Sequence, residues 1–263
     1  MLQNNFPYYA VPKYRYPINQ KTDPTNHLIF SEIHLRKLLN MAPFTQVLGG
    51  HHTRCFVNYQ SVVKKSIFRF TFLRDPVSRY LSHLNYHRRV MGIQWELQDF
   101  LKTTKFNNWQ TLRIAGEANV EKAKEFLNSR FDFVGLTEKF DESLLIFQEK
   151  LNSDLKRSGY EKSNVTKEET GKDRIITFDS LRESEKVRVL ENNQLDSELY
   201  QYTSSVIFNN YLKSYNENLN SRLIEFNNQQ FDFNLNKVAL IKNKIFRRYL
   251  NLVCVTKKSL YRF

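Results

Sequence analysis

Apolar and polar positions along this chain follow two periods in turn. From 25 to 40 the apolar residues Leu28, Ile29, Ile33, Leu35, Leu38 and Leu39 recur at helical spacing, and Asn40 and Pro43 close the segment. Gln46-Val47-Leu48 reads as a short strand running into Gly49-Gly50. Ile67 to Leu73 is dense in aromatic and β-branched residues, suits a buried strand, and breaks at Arg74-Asp75-Pro76. Asp75 is a favoured N-cap. Pro76 fits the first helical position because its missing N–H would be unpaired there anyway, so a helix through about Val90 follows.

The same strand-to-helix step recurs at Phe131-Asp132-Phe133-Val134-Gly135-Leu136-Thr137. Asp141 is expected to cap the helix after it, and Phe140 to pack against Leu145 across the first turn. That helix runs on through Leu151 and Leu155, and the polar stretch Lys156 to Arg174 reads as a loop. One long helical pattern spans Ser180 to Tyr215, and the tail from Val238 to Phe263 alternates apolar and basic residues as a helix. Residues 1–24, with four prolines and no clear period, read as irregular. No repeat and no Gly/Ser-rich or Pro-rich linker divides the chain. Strands alternating with helices predict an α/β fold, a parallel sheet flanked by helices. The expected organisation is an irregular segment 1–24, an α/β domain 25–215 and a basic helical extension 216–263.

Composition narrows the class. The chain has 263 residues, 41% of them hydrophobic, with 21 Phe and 14 Tyr, so it can fill a core and is neither disordered nor fibrous. Lys and Arg outnumber Asp and Glu by 40 to 27, a formal +13. That excess favours a polyanionic partner without choosing among nucleic acid, a phosphorylated cofactor, an acidic polysaccharide and an anionic membrane surface. Cys55 and Cys254 lie far apart and form no CxxC, so a reducing compartment and no metal are expected, with a single bridge left open. The first residues lack the basic and apolar regions of a signal peptide, and no window approaches the roughly 18 apolar residues of a membrane span. A cytoplasmic protein, at most peripheral at a membrane, is expected.

The sharpest feature is Phe70-Thr71-Phe72-Leu73-Arg74-Asp75-Pro76-Val77-Ser78-Arg79-Tyr80-Leu81-Ser82. A strand delivers Arg74 to its carboxyl end, where open parallel sheets place their ligands, and the next helix points free N–H groups and a positive dipole at the same place. Arg74 adds a planar fork suited to phosphate. Ser82 lies roughly 9 Å along the helix from Pro76, so its hydroxyl reaches a group lying along that helix and not one at its tip. The plainer reading pairs Arg74 with Asp75 and leaves Ser82 a neutral helix residue.

Leu73-Arg74-Asp75-Pro76-Val77-Ser78-Arg79-Tyr80-Leu81-Ser82-His83 closely resembles the 3′-phosphate-binding segment of sulfotransferases that use 3′-phosphoadenosine 5′-phosphosulfate (PAPS). The likeness is to the Golgi-type carbohydrate enzymes and their bacterial relatives, including glycosaminoglycan 2-O-sulfotransferases. Further segments agree in order: 133–145 looks like the family's later strand-to-helix block, Asn164-Val165-Thr166-Lys167 is similar to the short motif after it, and 195–200 resembles its C-terminal helix signature. Asn108-Trp109-Gln110-Thr111-Leu112-Arg113 also has a counterpart, and the resemblance covers roughly residues 45–210. It implies a P-loop-like fold, PAPS as sulfate donor, no metal, and Arg74 and Ser82 as the ligands of the 3′-phosphate.

The family's carbohydrate branch often carries a Gly-His pair where Gly50-His51-His52 stands, and in the 2-O-sulfotransferases a histidine there is the proposed general base. Sulfuryl transfer to a sugar hydroxyl needs such a group near pKa 6.5 to take the proton. His51 and His52 are adjacent, so in extended chain only one of them can serve. The family's first strand feeds a Pro-Lys-Thr-x-x-Thr-Ser loop that cradles the 5′-phosphosulfate. The nearest match here, Val11-Pro12-Lys13-Tyr14-Arg15-Tyr16-Pro17, lacks the hydroxyl residues and leaves Lys13 as the candidate ligand. With ten residues upstream, the strand before it is expected to be absent, and the first strand-loop-helix missing or degenerate through a shortened N-terminus or a lost half-site.

The expected reaction is in-line attack of a carbohydrate hydroxyl on the PAPS sulfur, with adenosine 3′,5′-bisphosphate leaving. The alternative is a catalytically inactive module that holds a nucleotide 3′-phosphate or an acidic polysaccharide. Nucleic acid is supported only by charge and by Tyr8, Tyr9, Tyr14 and Tyr16 among Lys13 and Arg15, with no recognised motif, and is not expected. Lys242 to Leu250 reads as a solvated basic face, or as an amphipathic helix making peripheral membrane contact.

Overall fold

The computed structural model describes residues 8–10, 29–151, 175–215, 218–228 and 241–250. Lys13, Leu155, the stretch Lys156 to Arg174 and Cys254 lie outside the described residues. The chain is mixed α/β with helices predominating. In order it runs β1 (Tyr9–Ala10), α1 (Glu32–Met41), β2 (Val47–Leu48), β3 (Phe70–Leu73), α2 (Pro76–Arg89), α3 (Leu97–Lys102), α4 (Trp109–Ala115), α5 (Val120–Ser129), β4 (Phe133–Leu136) and α6 (Phe140–Leu151). Then come α7 (Glu183–Asn192), α8 (Gln194–Tyr202), a π-helical turn (Thr203–Phe208), α9 (Asn209–Ser214), α10 (Leu219–Asn228) and a helix over residues 241–250.

The expected parallel pairing is present as two short pairs, β1 with β2 and β3 with β4. In the second, Phe70, Thr71, Phe72 and Leu73 face Phe133, Val134, Gly135 and Leu136. The Phe72 ring lies over Gly135, where an added Cβ would come within 2.5 Å of it. Gly135 is therefore the space that lets the ring stack across the pair. Strand β4 is buried throughout, whereas β3 is only partly covered until Leu73, less than the buried strand its composition suggests.

Four expectations need correction. The strand ahead of the Val11-Pro12-Lys13 segment is not absent: Tyr9 and Ala10 pair with Val47 and Leu48, the Gly49 amide donates to the Ala10 carbonyl at 3.0 Å, and Ala10 is buried beneath α1. A two-residue strand is too short to show a period. Helix α1 starts at Glu32, because Ser31 breaks the pattern and its backbone N–H donates to His34 Nδ1 at 3.1 Å. Asp141 sits inside the first turn of α6 and not at its cap, since the Ser143 hydroxyl takes both the N–H and the carbonyl of Leu136 and winds the helix one residue earlier. The long pattern from Ser180 to Tyr215 is broken at Asn193, whose side chain turns back to the Val189 carbonyl at 2.8 Å.

The main core gathers β3, β4, α5, α6 and the helical stretch 199–208 around Phe133, Phe147 and Phe208. A second core packs Tyr80 and Leu84 of α2 against Phe100 and Phe106, whose rings stack at 4.9 Å. The third joins β1, α1 and the helix 241–250. Phe226 of α10 packs on Leu144 and Leu145 of α6.

Candidate ligand site at the carboxyl end of β3

Strand β3 ends at Leu73, whose carbonyl accepts from both the amide and the hydroxyl of Thr137. Asp75 then caps α2 as its sequence predicts: Oδ1 accepts from the Ser78 amide at 2.8 Å, with Pro76 in the first turn. The Asp75 amide donates to Glu138 Oε1 at 2.9 Å, and Glu138 Oε2 accepts from the Tyr200 hydroxyl at 2.8 Å. Burial and the Glu138 carboxylate push the Tyr200 phenol up, so it remains a proton donor.

With Asp75 committed to the helix tip, the Arg74 side chain turns along the flank of α2. Its Nη1 donates to Ser82 Oγ at 3.2 Å. The two residues singled out for a 3′-phosphate are thus in contact, and the plainer pairing of Arg74 with Asp75 is not the one adopted. Any anion reaching both would lie beside the helix, as the spacing requires. The Arg74 backbone is held on both sides by one side chain: its amide donates to Gln110 Oε1 and its carbonyl accepts from Gln110 Nε2, each at 2.9 Å.

One turn on from Asp75, Arg79 supplies a second cation that sequence reasoning passed over. Its Nη2 donates to the Phe106 carbonyl at 3.1 Å and to Asn193 Oδ1 at 2.9 Å, while Nε and Nη1 are buried without a partner. Burial lowers its pKa and the Asp196 carboxylate works against that. Positions 75, 79 and 82 share one helical face, which was the available signal.

Helix α4 fixes the geometry. Asp196 of α8, fully buried, accepts from the amides of Gln110 at 3.0 Å and Thr111 at 2.7 Å, capping the start of α4. In return Asn108 Oδ1 accepts from the amides of Leu195 at 2.9 Å and Asp196 at 3.3 Å, capping the start of α8. Each helix is capped from the other. The segments 108–113 and 195–200, noted separately in the sequence, are therefore one structural unit.

The same helix carries Arg113 one turn beyond Gln110, its guanidinium over the Trp109 ring at 5.1 Å. Arg113 donates to the His51 carbonyl, and so does Arg54 at 2.7 Å. Helix α4 thus joins the histidine turn to the Arg74 backbone. The turn also separates the two histidines: His51 is exposed, whereas His52 is 3% exposed and its carbonyl accepts from the Phe30 amide at 2.8 Å. Partial burial, and then the Arg113, His52 and Arg54 charges, lower the His51 pKa. His51 is thus reachable from solvent with its imidazole held below the ordinary value, and His52 is turned inward.

Cys55 is a buried free thiol donating to the Ile114 carbonyl at 3.2 Å, and burial pushes its pKa up to about 11. Among the described residues, no group of three or more His, Cys, Asp or Glu gathers as a metal site, and no helix is long and apolar enough to cross a membrane. No family model matches this chain, and no curated protein matches it either.

Proposed function

We propose that this chain is a P-loop-like sulfotransferase that moves the sulfuryl group of PAPS to a carbohydrate hydroxyl. The observation that carries the reading is the Arg74–Ser82 contact on the flank of α2, at the carboxyl end of a parallel strand. Arg74 and Ser82 hold the 3′-phosphate of the nucleotide, and the Arg79 charge behind them adds to the field. His51 takes the acceptor proton as its oxygen attacks sulfur in line, and adenosine 3′,5′-bisphosphate leaves. The net charge of +13 suits an anionic cosubstrate and an anionic acceptor.

The test is nucleotide binding followed by transfer. Adenosine 3′,5′-bisphosphate should stabilise the chain by about 2.7 kcal/mol at a hundredfold excess over its Kd, and adenosine 5′-monophosphate at the same concentration should stabilise it less. Arg74→Ala should cost roughly 1.5–3 kcal/mol of that binding, and Arg69→Ala, just ahead of β3 at its far end from the site, far less. His51→Ala should keep the affinity and lower transfer of ³⁵S from PAPS by about 10²–10⁴. Equal shifts from the two nucleotides would remove the basis for the assignment. A second reading, an inactive nucleotide-holding module, draws on Tyr14, Pro17 and Ile18 standing where the family loop has Thr, Thr and Ser. Tight binding without transfer to any sugar acceptor would select it.

A further inference from the structure

The helix over residues 241–250 has two unlike faces. Inward, Phe246 and Leu250 are buried with Ala10, Phe30, Leu35 and Leu38, and Asn243 is buried as well. Phe246 meets the rings of Phe44 at 5.4 Å and Tyr8 at 5.7 Å. The Tyr249 hydroxyl donates to the Met41 carbonyl at 2.8 Å and fastens one flank to the end of α1. Outward, Ile241 and Ile245 are 56% and 61% exposed, one turn apart on a single line of the helix. Lys242, Lys244 and Arg248 are exposed around them. The inner face already supplies the packing, so folding does not account for an isoleucine crest ringed by cations.

We infer that this outer face docks on an anionic lipid bilayer. Ile241 and Ile245 enter the boundary between headgroups and acyl chains, and Lys242, Lys244 and Arg248 meet the lipid phosphates. Charge complementarity favours such a surface: residues 241–250 hold four Lys or Arg and no Asp or Glu. A nucleic acid or an acidic polysaccharide would engage the cations and leave both isoleucines in water. A bilayer engages both. The inference stands apart from whatever the Arg74–Ser82 site binds.

Co-sedimentation of the full chain with vesicles tests it, comparing equal parts phosphatidylcholine and phosphatidylglycerol with phosphatidylcholine alone. The chain should bind the anionic vesicles, less so as salt rises. Ile241→Ser with Ile245→Ser should weaken that binding about tenfold or more, with melting temperature and heparin binding unchanged. Lys244→Gln should weaken it about fivefold. No preference for the anionic vesicles would overturn the inference. So would undiminished vesicle binding by the double serine variant, or an equal loss of heparin binding in it.

Discussion

Two junctions hold the strand-end site, and they are built on different scales. At the step from β3 to α2 the contacts are local: Asp75 caps over three residues and Arg74 reaches Ser82 over eight. At the meeting of α4 and α8 the contacts span 85 to 88 residues, with Asp196 capping one helix and Asn108 the other. The first junction supplies the groups that would touch a ligand. The second sets the direction in which they point, because Gln110, placed by Asp196, holds the Arg74 backbone. Local chemistry writes the ligands and distant chemistry aims them.

Breaking the distant junction should have the largest effect. Asp196→Ala orphans two buried amides and leaves the Arg79 charge with less compensation, and should cost about 2–5 kcal/mol in a urea titration. Asp196→Asn should recover part of that, since one amide oxygen can still accept. Asp75→Ala should cost about 1 kcal/mol, because one exposed cap is lost while Pro76 still starts the helix. If Asp75→Ala proves the costlier substitution, the ranking of the two junctions is reversed.

The smallest effect probes the far end of α2. His87 Nδ1 accepts from the Trp95 indole at 3.0 Å, which leaves its Nε2 to face His83 Nε2 at 3.0 Å. Burial and then the Lys105 charge hold His87 below the ordinary imidazole value of 6.5. Below pH 6.5 the unfolded chain therefore takes up a proton that folded His87 refuses, and stability falls until the folded group also titrates. His51 is lowered too and acts in the same direction. Urea midpoints at pH 7.5 and 5.5 should show the loss, and His87→Gln should flatten it. An unchanged slope in that variant would locate the acid sensitivity elsewhere.

Legibility followed the same division of scale. Asp75 and Pro76 could be read because cap and first turn are written side by side, whereas Arg74 and Ser82 were joined only through the resemblance and their direct contact comes from the structure. Helix α1 begins later than its apolar spacing predicts, because Leu28 and Ile29 carry that spacing back past Ser31, where the His34 contact begins the helix. Strand β1 left no trace because two residues cannot alternate, and its pairing comes from residues 47 and 48. His51 and His52 could not be ranked because neighbours in an open turn differ only in what covers them, and that cover comes from Phe30, Arg54 and Arg113. The Asn193 break was hidden for a related reason: Asn192 and Asn193 spend their amides on Tyr80, the Leu101 carbonyl and the Val189 carbonyl.

The grip of Gln110 on Arg74 has one more consequence. A primary amide that both accepts from a backbone N–H and donates to its carbonyl imitates a rung of a neighbouring strand. Beyond Leu73 the backbone would otherwise offer a free edge, the template on which an extended peptide or a second chain can add itself. Gln110 fills that vacancy with the protein's own side chain, so the backbone just past β3 is closed to strand invasion.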